Sequence, residues 1–414
     1  MNKPPLLFLC HRIPFPPNKG DKIRSFNILQ MLNKHYDVYL GCFIDDPYDE
    51  QYVDELKKHC HQLFYRNQNK LVAKIKGMTA FLTGKPITLP YYYDREMAKW
   101  CQEVADRHAI EKVFVYSSSM AQYCETAQFN QCQRVIDFVD VDSDKWRQYA
   151  ENRSGLAKFI FQREFKTLAR YEDKVCLQFD ASLFVSPDEA KLFRARQQVT
   201  AQAKVQGILN GVDIGFFNPN ASLAPENKVP DGPFISFTGA MDYWANVDAV
   251  LWFAENVWPI VKKNIPSLSF VIAGGNPTNQ IKSLATQPDV IVTGRVEDIR
   301  PYITQAACIV APLRIARGIQ NKVLEAMSLD KPVVCTSMAM EGINAPHHRY
   351  CQVHDEPEAF AEAVIELVNS TQVSATTELV TENRAWIKEH FTWQATLAPL
   401  AKLYQIESSE VTSQ

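Results

Sequence analysis

A chain of 414 residues is long enough for two or three domains, each with its own core. Its 46% hydrophobic and 22% charged residues are ordinary for a globular protein, and a net charge of -3 excludes the strongly basic surface of a general nucleic-acid binder. No run approaches the roughly 18 apolar residues of a membrane span. Ten cysteines scattered singly, with no CxxC pair, exclude a disulfide framework and a zinc ribbon and point to a reducing, cytosolic setting.

In chain order, LLFLC (6–10) predicts a first strand, within an N-terminal apolar run too short and too proline-interrupted for a signal peptide. A Pro-rich loop leads into the amphipathic KIRSFNILQMLNKH, which groups Ile23, Phe26, Ile28, Leu29 and Leu32 on one helical face. Strands follow at 37–43, 111–118 and 134–140, then a long helix at 155–179 and a strand at 181–187. The Asn210–Gly211 turn signal and the linker-like SLAPENKVPDG (222–232) separate this series from a second. That second series alternates strands at 234–240, 267–275, 289–296, 308–313 and 332–336 with helices at 246–263, 277–285, 298–306 and 319–329. Apolar strands alternating with helices predict parallel sheets covered on both faces, hence an α/β fold of two Rossmann-like, doubly wound domains facing across a cleft.

Such sheets bind ligands beyond the carboxyl ends of their strands, at helix N-termini. PLRIARGIQNKVLEAMSLDKPVV, from 312 to 334, has that form. Gly318 allows close backbone approach, the N–H groups of Ile319, Gln320 and Asn321 lack intrahelical acceptors, and Lys322 adds a full charge in the same turn. A phosphate fits these donors. Glu325, three residues on, shares the helix face and suits the paired hydroxyls of a ribose. The alternative is a Lys322–Glu325 surface pair beside solvated arginines, but Val323, Leu324, Ala326 and Met327 make the helix partly apolar.

This stretch resembles the donor-site motif of the GT-B glycosyltransferases of family 4, retaining enzymes that use nucleotide-activated sugars. LNGVDIGFFNP (209–219) is similar to the segment leading into that family's second domain, and FTGAMDYWANVDAVLWFAENVWPIV (237–261) to that domain's opening. The pattern looks most like the sugar transferases of bacterial exopolysaccharide and PEP-CTERM gene clusters. The resemblance implies an acceptor domain over 1–205, a donor domain over 206–389 and a last helix, about 390–408, crossing back to the first. It also implies two departures. Glu325 matches the second of two family glutamates, whereas the first falls on Arg317. The family's Arg and Lys after the donor domain's first strand are absent from GAMDYWAN, which opens on Gly239. The expected donor set is therefore Gly239, Arg314, Arg317, Gly318, Ile319, Gln320, Asn321, Lys322 and Glu325. Within it, Arg314, Arg317 and Lys322 supply the missing phosphate charge; arginine's fork suits two phosphate oxygens.

In the first domain, CHRIPFPPNKGDKIRSF (10–26) resembles the family's glycine loop, which adds Gly20, Lys19 and Arg24 to the donor set. Gly20 is equally well read as an ordinary turn before a helix. His11, Asp140 and Asp142, all beyond predicted strand ends, are the catalytic candidates. Asp142 or its neighbour Ser143 is also suited to capping the next helix. Serines 117–119 lack a GxSxG elbow and read as turn formers or sugar contacts. The expectation is a transferase needing a nucleotide-sugar donor, a glycan or lipid-linked acceptor, and neither a metal nor another cofactor.

RNQNKLVAKIKGMTAFLTGKP (66–86), basic and amphipathic, is compatible with peripheral contact at the cytoplasmic face of the inner membrane or with ordinary packing on the first domain. The tail ESSEVTSQ reads as disordered. A GT-B sugar-nucleotide epimerase or a non-catalytic sugar-nucleotide-binding protein would share the donor motif. A dehydrogenase would require a GxGxxG that AGGNP (273–277) does not provide.

Overall fold

The computed structural model describes residues 3–18, 20–151, 153–224, 229–315, 318–346, 351–373 and 381–406. It falls into two compact units, residues 1–209 with 399–414 and residues 210–398. Lys19, Ala316 and Arg317, part of the 222–232 segment, and the tail from 407 lie outside the described residues.

The first unit is a seven-stranded sheet. Its strands are β1 (Pro5–Cys10), β2 (Asp37–Ile44), β3 (Gln62–Asn67), β4 (Lys112–Tyr116), β5 (Gln133–Val139), β6 (Ala181–Phe184) and β7 (Val205–Gly207). All pairs are parallel, in the order β3-β2-β1-β4-β5-β6-β7. The chain runs outward from β1 to β3, then restarts at β4 on the other side of β1. The switch point therefore lies between β1 and β4, where Leu6 pairs with Lys112 and Cys10 with Tyr116. Leu6–Leu9 and Val113–Tyr116 are fully buried, as strands covered on both faces must be. Helices that matter below are α1 (Gly20–His35), α2 (Lys70–Met78), α3 (Asp142–Glu151) and α4 (Gly155–Gln178).

The second unit repeats the plan with six parallel strands: β8 (Phe234–Thr238), β9 (Ser269–Ala273), β10 (Val290–Gly294), β11 (Ile309–Ala311), β12 (Val333–Cys335) and β13 (Cys351–Val353). Their order is β10-β9-β8-β11-β12-β13, so the switch point lies between β8 and β11. α5 (Trp244–Trp252) follows β8, and α6 (Asn321–Ser328) follows β11. All ten cysteines are free, and nine are buried.

Two expectations are corrected. The helix expected over 246–263 is interrupted by a π-turn at Phe253–Val257, before a helix Trp258–Asn264 that carries Pro259 in its first turn. Proline has no N–H to give the preceding turn, so the ladder widens there. The first unit ends at Leu209 rather than 205, since β7 adds Val205–Gly207 to its sheet. The return crossing expected over about 390–408 falls inside α7 (Trp393–Leu403), at Pro399. Residues before it stay with the second unit because Val212 N–H donates to the Phe391 carbonyl (2.7 Å) and Gly211 packs directly against the Trp393 backbone.

Candidate functional site

At the second unit's switch point, the loop after β8 is braced from two sides. Gly239 N–H donates to the Ala273 carbonyl (3.0 Å), and Met241 N–H to that of Gly275 (2.8 Å). Both Gly239 (φ 154°) and Gly274 (φ 153°) adopt conformations that favour glycine. A Cβ on Gly274 would lie 1.7 Å from the Gly239 carbonyl oxygen, and one on Gly239 2.7 Å from Asn246 Nδ2. Gly239 therefore serves to let Asn246 in. The Asn246 amide donates to the Ala240 carbonyl (2.9 Å) and accepts from Lys322 Nζ at 2.6 Å.

That bond joins the β8 loop to α6. Lys322 is 8% exposed, its ammonium lies 4.7 Å from the centre of the Phe237 ring, and burial lowers its pKa to about 8. Burial likewise raises Glu325 to about 7, with the Lys322 charge opposing the rise. Two ionisable side chains one helical turn apart are thus both held against their charged forms, the pattern that recurs at functional sites. Gly318 (φ 66°) makes the turn into the helix. Gln320, at the N-cap, folds its side chain back onto the Gly318 carbonyl (3.0 Å) and leaves the helix end uncapped. Buried Ile319 anchors the turn, and Asn321 Oδ1 is a buried acceptor with no hydrogen-bond partner. Helix N–H groups, an ammonium and an unused acceptor converge here, which suits an oxyanion with a hydroxyl beside it.

Arg314 departs from its expected role. Its guanidinium forms a two-pronged pair with Asp248 of α5 (3.0 and 2.5 Å), so a carboxylate already occupies the fork assigned to phosphate. Lys322, reaching the β8 loop through Asn246, is the described cation that can replace the absent Arg and Lys of that loop. Asn246 was missed from sequence because it lies 76 residues from Lys322. Tyr243 and Trp244 beside it are exposed.

In the first unit, the expected groups stand beyond the ends of two strands. His11 follows β1, with its ring stacked on Tyr116 (5.9 Å) and edge-on to Tyr92 (5.8 Å). Its Nδ1 is buried without a partner, and burial lowers its pKa, so the imidazole is neutral at pH 7. Asp140 and Asp142 follow β5, and Lys145 Nζ donates to both (2.8 and 3.1 Å). Asp142 opens α3. The helix end is met by buried Glu172, which accepts from both the N–H (3.0 Å) and the hydroxyl (2.6 Å) of Ser143. Serines 117–119 are buried at a turn in which Ser117 has φ 80°, so they act as turn formers.

Arg24 of α1 also departs from its expected role. Arg24 is 1% exposed, with Nε on Asp137 (2.7 Å) and Nη1 on the Ile208 carbonyl (2.8 Å). It neutralises a core carboxylate and has almost no exposed surface to offer a ligand. Lys22 is likewise paired with Asp49 (2.6 Å), and Arg12 lies between Asp21 and Asp45. Gly20 begins α1 with open space around it.

Two doubly wound units, with a phosphate-suited helix end at the switch point of the second, define the GT-B fold. Residues 232–370 match the family described as "Glycosyl transferases group 1". The chain is a glycosyltransferase. Among proteins of known sequence, it is 19% identical over 389 residues to an "Uncharacterized 44.6 kDa protein in cps region" of Klebsiella pneumoniae, covering 91% of this chain and 94% of that one. Among solved structures, it resembles HepE of Anabaena in complex with UDP and glucose (14% identity, TM-score 0.65, 97% of this chain and 99% of that one). It also resembles sucrose-phosphate synthase of Thermosynechococcus elongatus (15% identity, TM-score 0.65, 97% and 98%). Among the described residues, no group of three or more His, Cys, Asp or Glu side chains is placed to hold a metal ion, and no helix is long and apolar enough to cross a membrane.

Proposed function

We propose that the protein is a retaining glycosyltransferase that moves a sugar from a nucleoside-diphosphate sugar to a glycan or lipid-linked acceptor, in bacterial exopolysaccharide assembly on the cytoplasmic side of the inner membrane. The observation that carries this reading is the buried Lys322 ammonium, held by Asn246 against the β8 loop beside the uncapped end of α6. The diphosphate lies across that end, where Lys322 and the helix N–H groups neutralise charge as the leaving group departs. Glu325 and Asn321 Oδ1 accept hydroxyls of the ribose or sugar. In the first unit, Asp140 and neutral His11 orient the acceptor hydroxyl. The Anabaena protein, which also has a UDP-glucose complex, favours a uridine donor, and the relative in a cps region favours the exopolysaccharide setting.

A thermal-shift screen with UDP-, GDP- and ADP-sugars, followed by linkage analysis of the product, tests the proposal. One nucleotide class should raise the melting temperature, and its sugar should appear on the acceptor with the donor's anomeric configuration. An inverted linkage would refute retention. Donor epimerised without an acceptor would replace the transferase reading with the epimerase one.

A further inference from the structure

α2 packs on the first unit with its small side chains and turns its large apolar ones to water. Ala73 and Gly77 of the helix and Ala80 of the next turn are buried; a Cβ on Gly77 would already meet Ile87 at 3.0 Å. On the opposite face Leu71 is 69% exposed, Ile75 60%, Met78 67% and, in the turn Ala80–Thr83, Leu82 90%. The segment is well formed: Asn69 caps α2 by accepting from Leu71 and Val72 N–H, and Gly84 (φ 71°) closes the turn. α4 extends the same surface. Its Arg163 donates to the Lys85 carbonyl (3.1 Å) and lies over the Phe81 ring (4.7 Å), while Leu156 and Phe159, within two turns of Arg163, are exposed.

Charge distinguishes this face from an ordinary sticky patch. From 67 to 93 the sequence has no Asp or Glu but four cations, Lys70, Lys74, Lys76 and Lys85, in a chain of net charge -3. On the helical wheel Lys70 and Lys74 flank the apolar stripe on one side and Lys76 on the other. An apolar stripe edged by lysines and turned away from the protein body is the form of a helix that lies in a lipid headgroup layer. A two-fold contact between copies would bring these carboxylate-free faces together, like charge on like.

We propose that the outward face of α2 and the turn Ala80–Thr83, with Leu156 and Phe159, is a docking surface for an anionic lipid bilayer. Apolar side chains enter the acyl boundary while Lys70, Lys74 and Lys85 meet lipid phosphates. The inference rests on the proposed function only in explaining why such a surface is useful, namely access to a lipid-linked acceptor.

The test is flotation of the full-length protein with vesicles of phosphatidylcholine alone and of phosphatidylcholine with phosphatidylglycerol. Wild type should float with the anionic vesicles and be released by salt. The triple variant Ile75→Ser, Met78→Ser, Leu82→Ser should lose binding about tenfold or more, as should Lys70→Gln, Lys74→Gln, Lys85→Gln. Both should melt as wild type does, since every changed side chain is exposed. Absence of flotation, equal flotation on neutral vesicles, or unchanged binding by the apolar variant would overturn the proposal. So would a wild-type dimer that the apolar variant splits, which would make the face a self-association surface. Nucleotide-sugar thermal shifts run on the same samples report the donor site independently, so loss of lipid binding and failure of the transferase reading give different results.

Discussion

Replacing Lys322 by methionine separates the stability of the donor unit from its function. The folded protein lowers this side chain from 10.5 to about 8, a penalty of about 3 kcal/mol on the ammonium. Methionine keeps the length and apolar stem and removes that penalty. It also leaves Asn246 Oδ1 without its 2.6 Å donor, which costs about 1.5–3 kcal/mol. The two terms nearly cancel. Calorimetry of the ligand-free variant should therefore show a melting temperature unchanged or raised by no more than about 5 °C, given about 2–4 °C per kcal/mol in a unit of this size. Titration with the matching nucleoside diphosphate should show affinity reduced about 10- to 150-fold, the loss of one charge-assisted contact. A melting temperature lowered by more than about 5 °C with unchanged affinity would show that Lys322 is a structural cation, and the donor site would have to be sought elsewhere.

The pH dependence follows from the same pair. Glu325, raised to about 7, is a carboxylate only above that pH, and Lys322, lowered to about 8, is charged only below it, so donor affinity should peak between about 7 and 8. For stability the signs are opposite. Glu325 contributes fully below its unfolded value of 4.5 and loses that contribution as pH rises through 7; Lys322 contributes above 10.5 and loses it as pH falls through 8. The ligand-free donor unit should thus be weakest, and donor-induced thermal shifts largest, in the window where binding is tightest; a flat profile from pH 6 to 9 would refute the assignment. Arg24→Met, which leaves the Asp137 carboxylate without its cation, should destabilise the first unit by about 3–5 kcal/mol in urea unfolding while donor affinity stays as in wild type; a donor-affinity loss instead would return Arg24 to the site. Turnover should persist in a chelator, and complete loss restored by Mg²⁺ or Mn²⁺ would overturn the metal-free reading.

The doubly wound plan was legible because parallel strands are covered on both faces and so appear as unbroken apolar runs, as in LLFLC and CIVAP. The strands that escaped, β3, β7 and β13, are an exposed edge and two three-residue pieces with too little pattern to read. Lys322 and Glu325 were legible because a spacing of three places them on one helix face whatever surrounds them. Partners were not. Arg24 carries the same charge in sequence whether it meets a phosphate or Asp137, 113 residues away, and Arg314 the same whether it meets a ligand or Asp248. Composition could show that residues 66–86 were amphipathic. That their small residues face inward required the packing against Ile87.

Strain at the strand ends of the first unit gives the Arg24–Asp137 pair a purpose beyond neutrality. Val139 has φ 69°, and among the described residues with positive φ it is the only β-branched one, a conformation costing about 1–3 kcal/mol. It is held by its N–H, which donates to Asp137 Oδ1 at 2.9 Å. That carboxylate can sit fully buried only because Arg24 binds its other oxygen. The next strand end is tied to the same residue: Ser117, also at positive φ, donates its N–H to the Asp137 carbonyl. The buried ion pair thus fixes the turn at Val139, which leads directly into Asp140 and the start of α3, while the main chain of the same aspartate ties the turn at Ser117. In the second unit the corresponding tie is Lys322–Asn246–Ala240, again a buried cation reaching across the switch point to fix a loop through an intermediary. The difference is that Arg24 is hydrogen-bonded to a full carboxylate, whereas Lys322 is hydrogen-bonded to an amide. The second cation therefore has charge left for a ligand, and the first does not.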